Sequence, residues 1–524
     1  MELRRALVSV ADKTNLEILA RTLQAVHVEV LATPGSAAFL RASNFPDVVE
    51  LSAFPTTPAL LGDKITTLHA AVHAGIVATD DPADQLTVGA IGGAPIGMVV
   101  VNLTPVARTA RPSFDELVAS IDLGGPALLS SAISAWDRVV VLSDPADYGK
   151  VLQELVKKSE ISDETRRRLA IKASTILARH QATLANQLSC FNKEGVRRPT
   201  STTLAVVVDR VAPFKKGGDN PQQSAAMYAF PQPPPGTIPD AVLFAKGEAE
   251  VPTFHQALDA TLAFDLLAEF DEPTCSIVAR QRPVSTASAS SLEGAFALAL
   301  RGCGGAPLSS AIVGFNGDVS AALAAEVAKT AATAIATKSF DPQGIELLTT
   351  QRPDLCLIAT RELLSPSHEE LNLRTTPSTI LAEERDVTCR GEVERGAVLS
   401  ARQPLETETR ALSFAWKVAK YCRSDACVVA RVDADGSVRT LGVGASAVSR
   451  REAIDLALAQ AGPATAGAVL ASDGAITDAA DLDLIMRRGI VAVAHPGSPN
   501  DAAIITAGSN VLAMVSTGVS HLRY

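Results

Sequence analysis

Met98–Asn102 reads MVVVN, and this run decides the fold. Its four leading apolar residues show no polar alternation, the habit of a strand covered on both faces inside a parallel sheet. Working outward, short apolar runs recur at 6–10 (ALVSV), 28–31 (VEVL) and 139–142 (VVVL). ADKTN at 11–15 reads as a turn into a helix, and TPGS at 33–36 leads to a helix expected from about residue 37. IDLGGP at 121–126 is a further loop of the same kind. Strands alternating with helices predict an α/β fold, here a doubly wound parallel sheet with its ligand loops at the carboxyl ends of the strands. A strand that enters a Gly/Ser/Thr loop and then a helix also offers amides to an anion.

The chain has 524 residues, enough for two or three domains. Apolar residues make up 47% and charged residues 20%, which excludes a disordered or fibrous class. A net charge of −10 argues against nucleic-acid and membrane-surface partners. The seven cysteines form no CxxC pair, so a reducing, cytoplasmic setting is expected. The N-terminal MELRRALVSVADKT has no signal-type apolar run, and no membrane-length segment follows. Helices are expected at 148–158 and 163–186, with the arginines at 166–168 on a solvated face. A polar linker at 192–201 divides the chain into expected domains 1–196 and 197–524. The second opens with an expected strand at 204–208, and PQPPP at 231–235 reads as a stiff surface loop. Ser449 and Glu452 suggest a capping box.

Residues 62–75 read GDKITTLHAAVHAG. His69 and His73 stand four apart, on one face of a helix. With no third ligand evident, they read as structural and no metal is expected. The small residues around them let backbone and hydroxyls approach an anion.

This stretch resembles the GRVKTLHPxVHGGI segment of the AICAR transformylase/IMP cyclohydrolase family. Four loops of the first domain resemble that family's cyclohydrolase site in order and spacing: 12–14, 33–37, 62–75 and 121–126. NLTP at 102–105 is similar to the family's NLYP, FKKGGDNPQQ at 214–223 to its RYGxNPHQ, and FAWKVAK at 414–420 to its CWKVAK. The resemblance covers essentially the whole chain. It implies a methylglyoxal-synthase-like N-terminal domain and a cytidine-deaminase-like C-terminal α/β region in two subdomains. It also implies a purine ribonucleotide ligand, 10-formyltetrahydrofolate if formyl transfer survives, and a homodimer with shared transformylase sites. Residues carried over as nucleotide or phosphate binding are Lys13, Thr14, Thr33, Gly35, Ser36, Lys64, Thr67, Gly124, Gly125, Lys216, Gly218, Asn220 and Gln223.

The departures fall on the residues that move protons. Ring closure to IMP needs a donor at the developing oxyanion and a proton shuttle. The family's Lys after RV is here Thr66, its NLYP Tyr is Thr104, and its AAKN Lys is Ser134; Asp122 is retained. In the formyl-transfer motif VKHxNPCG, the Lys is Ala279, the His is Arg280 and the Asn is Arg282. Arginine stays protonated and cannot shuttle a proton near neutral pH. The expectation is a divergent homologue that binds a purine-pathway ribonucleotide with weakened or lost chemistry, alone or paired with an active homologue. A working formyltransferase/cyclohydrolase, and an enzyme retuned to a related nucleotide through Arg280 and Arg282, are the other two readings.

Overall fold

The computed structural model describes residues 3–53, 65–106, 112–198, 200–214, 217–231, 233–243, 251–305, 308–363, 371–499, 501 and 511–524. Lys64 and Lys216 lie outside the described residues. The chain divides into two compact units, Met1–Val207 and Val208–Tyr524.

Unit 1 is built from β1 (Arg5–Val10), α1 (Leu16–Ala25), β2 (Glu29–Ala32), α2 (Pro34–Ala42), β3 (Val49–Glu50), α3 (Ala70–Val77) and α4 (Pro82–Ala90). There follow β4 (Met98–Asn102), α5 (Phe114–Ala119), α6 (Gly124–Ser134), β5 (Val140–Leu142), α7 (Tyr148–Lys158) and α8 (Asp163–Leu188). The five strands pair in parallel in the order β3-β2-β1-β4-β5. Met98, Val99, Val100 and Val101 are wholly buried, as an unbroken apolar run at a sheet centre requires. Met98 and Val100 face one core, with Leu16, Leu19, Tyr148 and Val151. Val99 and Val101 face another, with Val72, Leu128 and Leu129.

Two expectations change here. α2 begins at Pro34, because proline at the first helical position loses no helix bond. The arginines at 166–168 lie on the solvated face expected of them, Arg167 and Arg168 being exposed, and they also make contacts: Arg166 pairs with Asp163, Arg167 lies 5.2 Å over the Trp136 ring, and Arg168 bonds Asp147 at 2.9 Å. Residues 204–208 form no strand. Asn186 of α8 holds Ala205 through both its backbone groups at 2.8 Å, which takes up the two bonds that residue could give a strand neighbour.

Unit 2 starts with a hairpin of β6 (Asp209–Pro213) and β7 (Ala226–Ala229). One strand order then occurs twice, with helices at matching places except that none is described between the last two strands of the second copy. The first copy is β8 (Val242–Leu243), α9 (Phe254–Leu267), β9 (Thr274–Ala279), β10 (Arg282–Ser288), α10 (Leu292–Gly302), β11 (Ile312–Phe315), α11 (Ala321–Ala328), β12 (Ala334–Thr337), α12 (Pro342–Gln351) and β13 (Cys356–Ala359). A second hairpin, β14 (Leu371–Thr375) with β15 (Ile380–Glu384), and the short α13 (Glu392–Arg395) separate the copies. The second copy is β16 (Ala397–Val398), α14 (Glu406–Lys420), β17 (Cys427–Val432), β18 (Val438–Gly444), α15 (Arg450–Ala461), β19 (Val469–Ser472), α16 (Ala479–Arg487), β20 (Ala492–His495) and β21 (Ala513–Ser516). The strands of both copies join one twelve-stranded sheet, ordered β16-β21-β20-β19-β17-β18-β10-β9-β11-β12-β13-β8. The order mirrors itself about the antiparallel β10–β18 seam, and the strand directions repeat in both halves. At Ser449 half of the expected capping box forms: its hydroxyl accepts from Glu452 N at 3.2 Å, while Glu452 turns back to Val448 N.

Candidate functional site

In unit 1 the carboxyl ends of β1, β2 and β4 and the first turns of α2 and α6 surround a cavity of about 420 Å3. Thr33, Gly35, Thr67, Thr104, Asp122, Gly124 and Gly125 all line it. Residues up to 92 apart in sequence are thus brought together by strand order alone (Thr33 to Gly125). The first-turn amides of Gly35 and Gly124 lack intrahelical acceptors, as in any helix. Two helix starts facing one cavity favour an anion.

The glycines are fixed by close approach. A Cβ on Gly124 would overlap the Thr67 hydroxyl, and one on Gly125 would come within 2.6 Å of Asp122 Oδ2. Asp122 itself accepts from Gly125 N at 2.9 Å, capping α6. Lys13 turns inward: its ammonium bonds the Val10 carbonyl and, at 3.0 Å, Ser36 Oγ. Burial pushes its pKa down, against the ammonium form, and its contacts tie it to the 33–36 turn. Ser36 also accepts from Val10 N at 3.2 Å and is buried, which makes it a strut. Thr14 spends both its amide and its hydroxyl on Asp12. Ser134 stands at the far end of α6 from the cavity, its hydroxyl on the Ser131 carbonyl. Thr66 is half-buried in the turn before α3.

The two histidines divide. His69 is the N-cap of α3, its Nδ1 accepting from Ala71 N at 3.1 Å. His73 lies 2.8 Å from Ser131 Oγ on α6. Burial pushes its pKa down more strongly than the facing Thr67 carbonyl raises it. Among the described residues no three His, Cys, Asp or Glu side chains gather as a metal site.

In unit 2, Ala279 and Arg280 stand at a tight turn. Ala279 pairs with Arg282, so Arg280 and Gln281 alone connect β9 to β10. Both take left-handed backbone, with φ of 53° and 57°. Their amides donate to the Asp259 carboxylate of α9 at 3.1 and 2.6 Å. Burial lifts the Asp259 pKa although both amide bonds oppose it. The β9–β10 connection is thus held by a side chain of α9.

Gly218, Asn220 and Gln223 occupy the β6–β7 tip, where Gln223 Oε1 accepts from Asn220 N at 3.1 Å. Gly217 has φ of 80°, and three backbone carbonyls crowd to within 2.7–2.8 Å of the place a Cβ would take, so only glycine fits. Sequence reasoning missed a buried ionic cluster. Lys420 Nζ and Tyr421 Oη each lie 3.1 Å from Glu269 Oε1. His521 bridges Asp386 at 2.6 Å and Glu392 at 2.7 Å. Pairs so far apart in sequence leave no local pattern; only the apolar setting of Lys420 in FAWKVAK hinted at burial.

The sequence model of a family described as the AICARFT/IMPCHase bienzyme matches residues 132–460. A bifunctional purine biosynthesis protein PurH of Sorangium cellulosum (strain So ce56) is 35% identical, with 100% of both chains covered. Another, of Magnetococcus marinus (strain ATCC BAA-1437 / JCM 17883 / MC-1), is 32% identical, again with 100% of both covered. A solved structure titled "Crystal structure of ForH" is 32% identical over 35% of this chain and 97% of its own, with a TM-score of 0.32. Full-length identity at this level, together with the family match, places the protein: the chain belongs to the bifunctional AICAR transformylase/IMP cyclohydrolase family.

Proposed function

We propose that unit 1 binds the 5′-phosphate of a purine-pathway ribonucleotide in its cradle, and that unit 2 has lost native formyl transfer. The observation that carries the first part is the cavity lined by two helix starts, Gly35 of α2 and Gly124 of α6. The second part is supported by the Arg280–Gln281 turn, whose amides Asp259 occupies and whose residues offer no proton shuttle. In this reading unit 1 is the methylglyoxal-synthase-like domain and unit 2 the cytidine-deaminase-like region. Thermal shift tests it: inosine 5′-monophosphate raises the melting temperature, and inosine at equal concentration does not. Equal shifts from both would remove the phosphate reading. AICAR with 10-formyltetrahydrofolate is expected to yield no formylated product.

Asp122 at the cavity mouth favours a second reading, in which ring closure alone survives. Turnover of formyl-AICAR to IMP, followed by absorbance, decides it. Homodimer formation is supported by the exposed β14–β15 hairpin, where Ile380 is 51% and Leu381 61% exposed. A two-stranded ribbon is marginal without a partner. Light scattering on the purified protein distinguishes a dimer from a monomer or a complex with an active homologue.

A further inference from the structure

We propose that His73 is a positioning residue for the unit 1 cradle: by gripping α6 at Ser131 it sets where Thr67 meets Gly124. The proposal rests on the reading that the cradle takes a ribonucleotide's phosphate. Thr67 and His73 belong to one continuous segment, the turn before α3 and α3 itself. Two of its contacts with α6 matter here. Thr67 packs its hydroxyl over Gly124 so closely that no side chain fits there. His73 Nδ1 lies 2.8 Å from Ser131 Oγ.

Gly124 and Ser131 are seven apart on α6, two turns along one face, or about 10 Å. The segment is therefore clamped along α6 at both ends, and sliding it would move Thr67 relative to the first turn. Apolar packing of Val72 against Leu128 and Leu129 fills the space between the two points but is not directional. The hydrogen bond at His73 supplies the direction. Thr67 is buried and lines the cavity, so its hydroxyl is placed to donate to a phosphate oxygen only while that register holds.

The test uses the full chain with two probes, inosine 5′-monophosphate and inosine, titrated by calorimetry. His73→Phe keeps the ring volume and removes the bond; Ser131→Ala removes the other partner; His73→Gln restores a polar group at that reach. His73→Phe and Ser131→Ala are each expected to weaken the monophosphate about tenfold, the worth of one lost hydrogen bond to a charged ligand. Inosine binding stays unchanged, and His73→Gln recovers most of the loss. Equal weakening of both probes, or no weakening in Ser131→Ala with a wild-type melting temperature, overturns the proposal. Wild-type protein that binds the two probes equally instead removes the phosphate reading itself.

Discussion

The two units use their polar groups in opposite ways. In unit 1, amides and hydroxyls at the starts of α2 and α6 border a cavity of about 420 Å3. In unit 2, ionisable groups satisfy one another: Lys420 with Glu269, His521 with Asp386 and Glu392, and Arg450 with Asp473 and Asp425. Asp259 does the same for the backbone of the β9–β10 turn. Anion binding by backbone depends on loop shape and tolerates side-chain change. Proton transfer depends on a few side chains and does not. On the function proposed above, the phosphate cradle is kept while the 279–282 segment serves as a structural turn.

The largest effect should come from testing whether unit 2's charges serve stability. Burial pushes His521 down, but its bonds to Asp386 and Glu392 outweigh that and raise its pKa to about 9. The folded value lies above the unfolded one, near 6.5 for histidine. The stabilisation is thus complete below about pH 6.5 and is lost as pH rises through about 9. His521→Gln should cost on the order of 3 kcal/mol at pH 6 and far less at pH 10. Urea midpoints at the two pH values measure it. A gap that does not change with pH would assign the loss to packing alone.

Next is Gly124→Ala in unit 1. Alanine at a helical glycine normally stabilises by up to about 1 kcal/mol. Here its Cβ would overlap Thr67 Oγ1. Affinity for a nucleoside 5′-monophosphate should fall between about tenfold and a hundredfold, and the melting temperature should fall too, because the buried Thr67 must move to admit the Cβ. Calorimetry with and without the phosphate group separates a damaged cradle from a damaged fold.

Much of unit 1 was legible because its signals are local. MVVVN announced a buried parallel strand, and the 33–36 and 121–126 loops announced helix starts that in fact line one cavity. The individual roles were less legible. Lys13 and Ser36 look like ligands in sequence but bond each other. His73 read as structural because no third ligand was evident, and its partner Ser131, 58 residues away, leaves no local sign. The apolar run at 204–208 forms no strand; at Ala205 the Asn186 side chain takes both backbone groups, a pairing that leaves no sequence pattern. In unit 2, HQALDATLAF gives no sign that Asp259 closes a turn about twenty residues later. The duplicated strand order is equally silent, since it lies in pairing across the β10–β18 seam and not in repeated residues.

The smallest effects probe the turn itself. Asp259→Ala leaves the Arg280 and Gln281 amides without their acceptor, at a cost of about 2 kcal/mol if they stay buried. Gln281→Gly should act the other way. Gln281 has φ of 57°, a left-handed conformation that costs a non-glycine residue about 1 kcal/mol. Glycine relieves that cost but adds freedom to the unfolded chain, so the net gain should be about a few tenths of a kcal/mol. The two changes share one turn and should not add. With Asp259 gone the turn is held less firmly, and the benefit of glycine should grow. Urea midpoints of the two single variants and the double variant measure that coupling. Strict additivity would mean that the carboxylate does not set the backbone of the turn, and the contrast with the unit 1 cradle would then rest on side-chain identity alone.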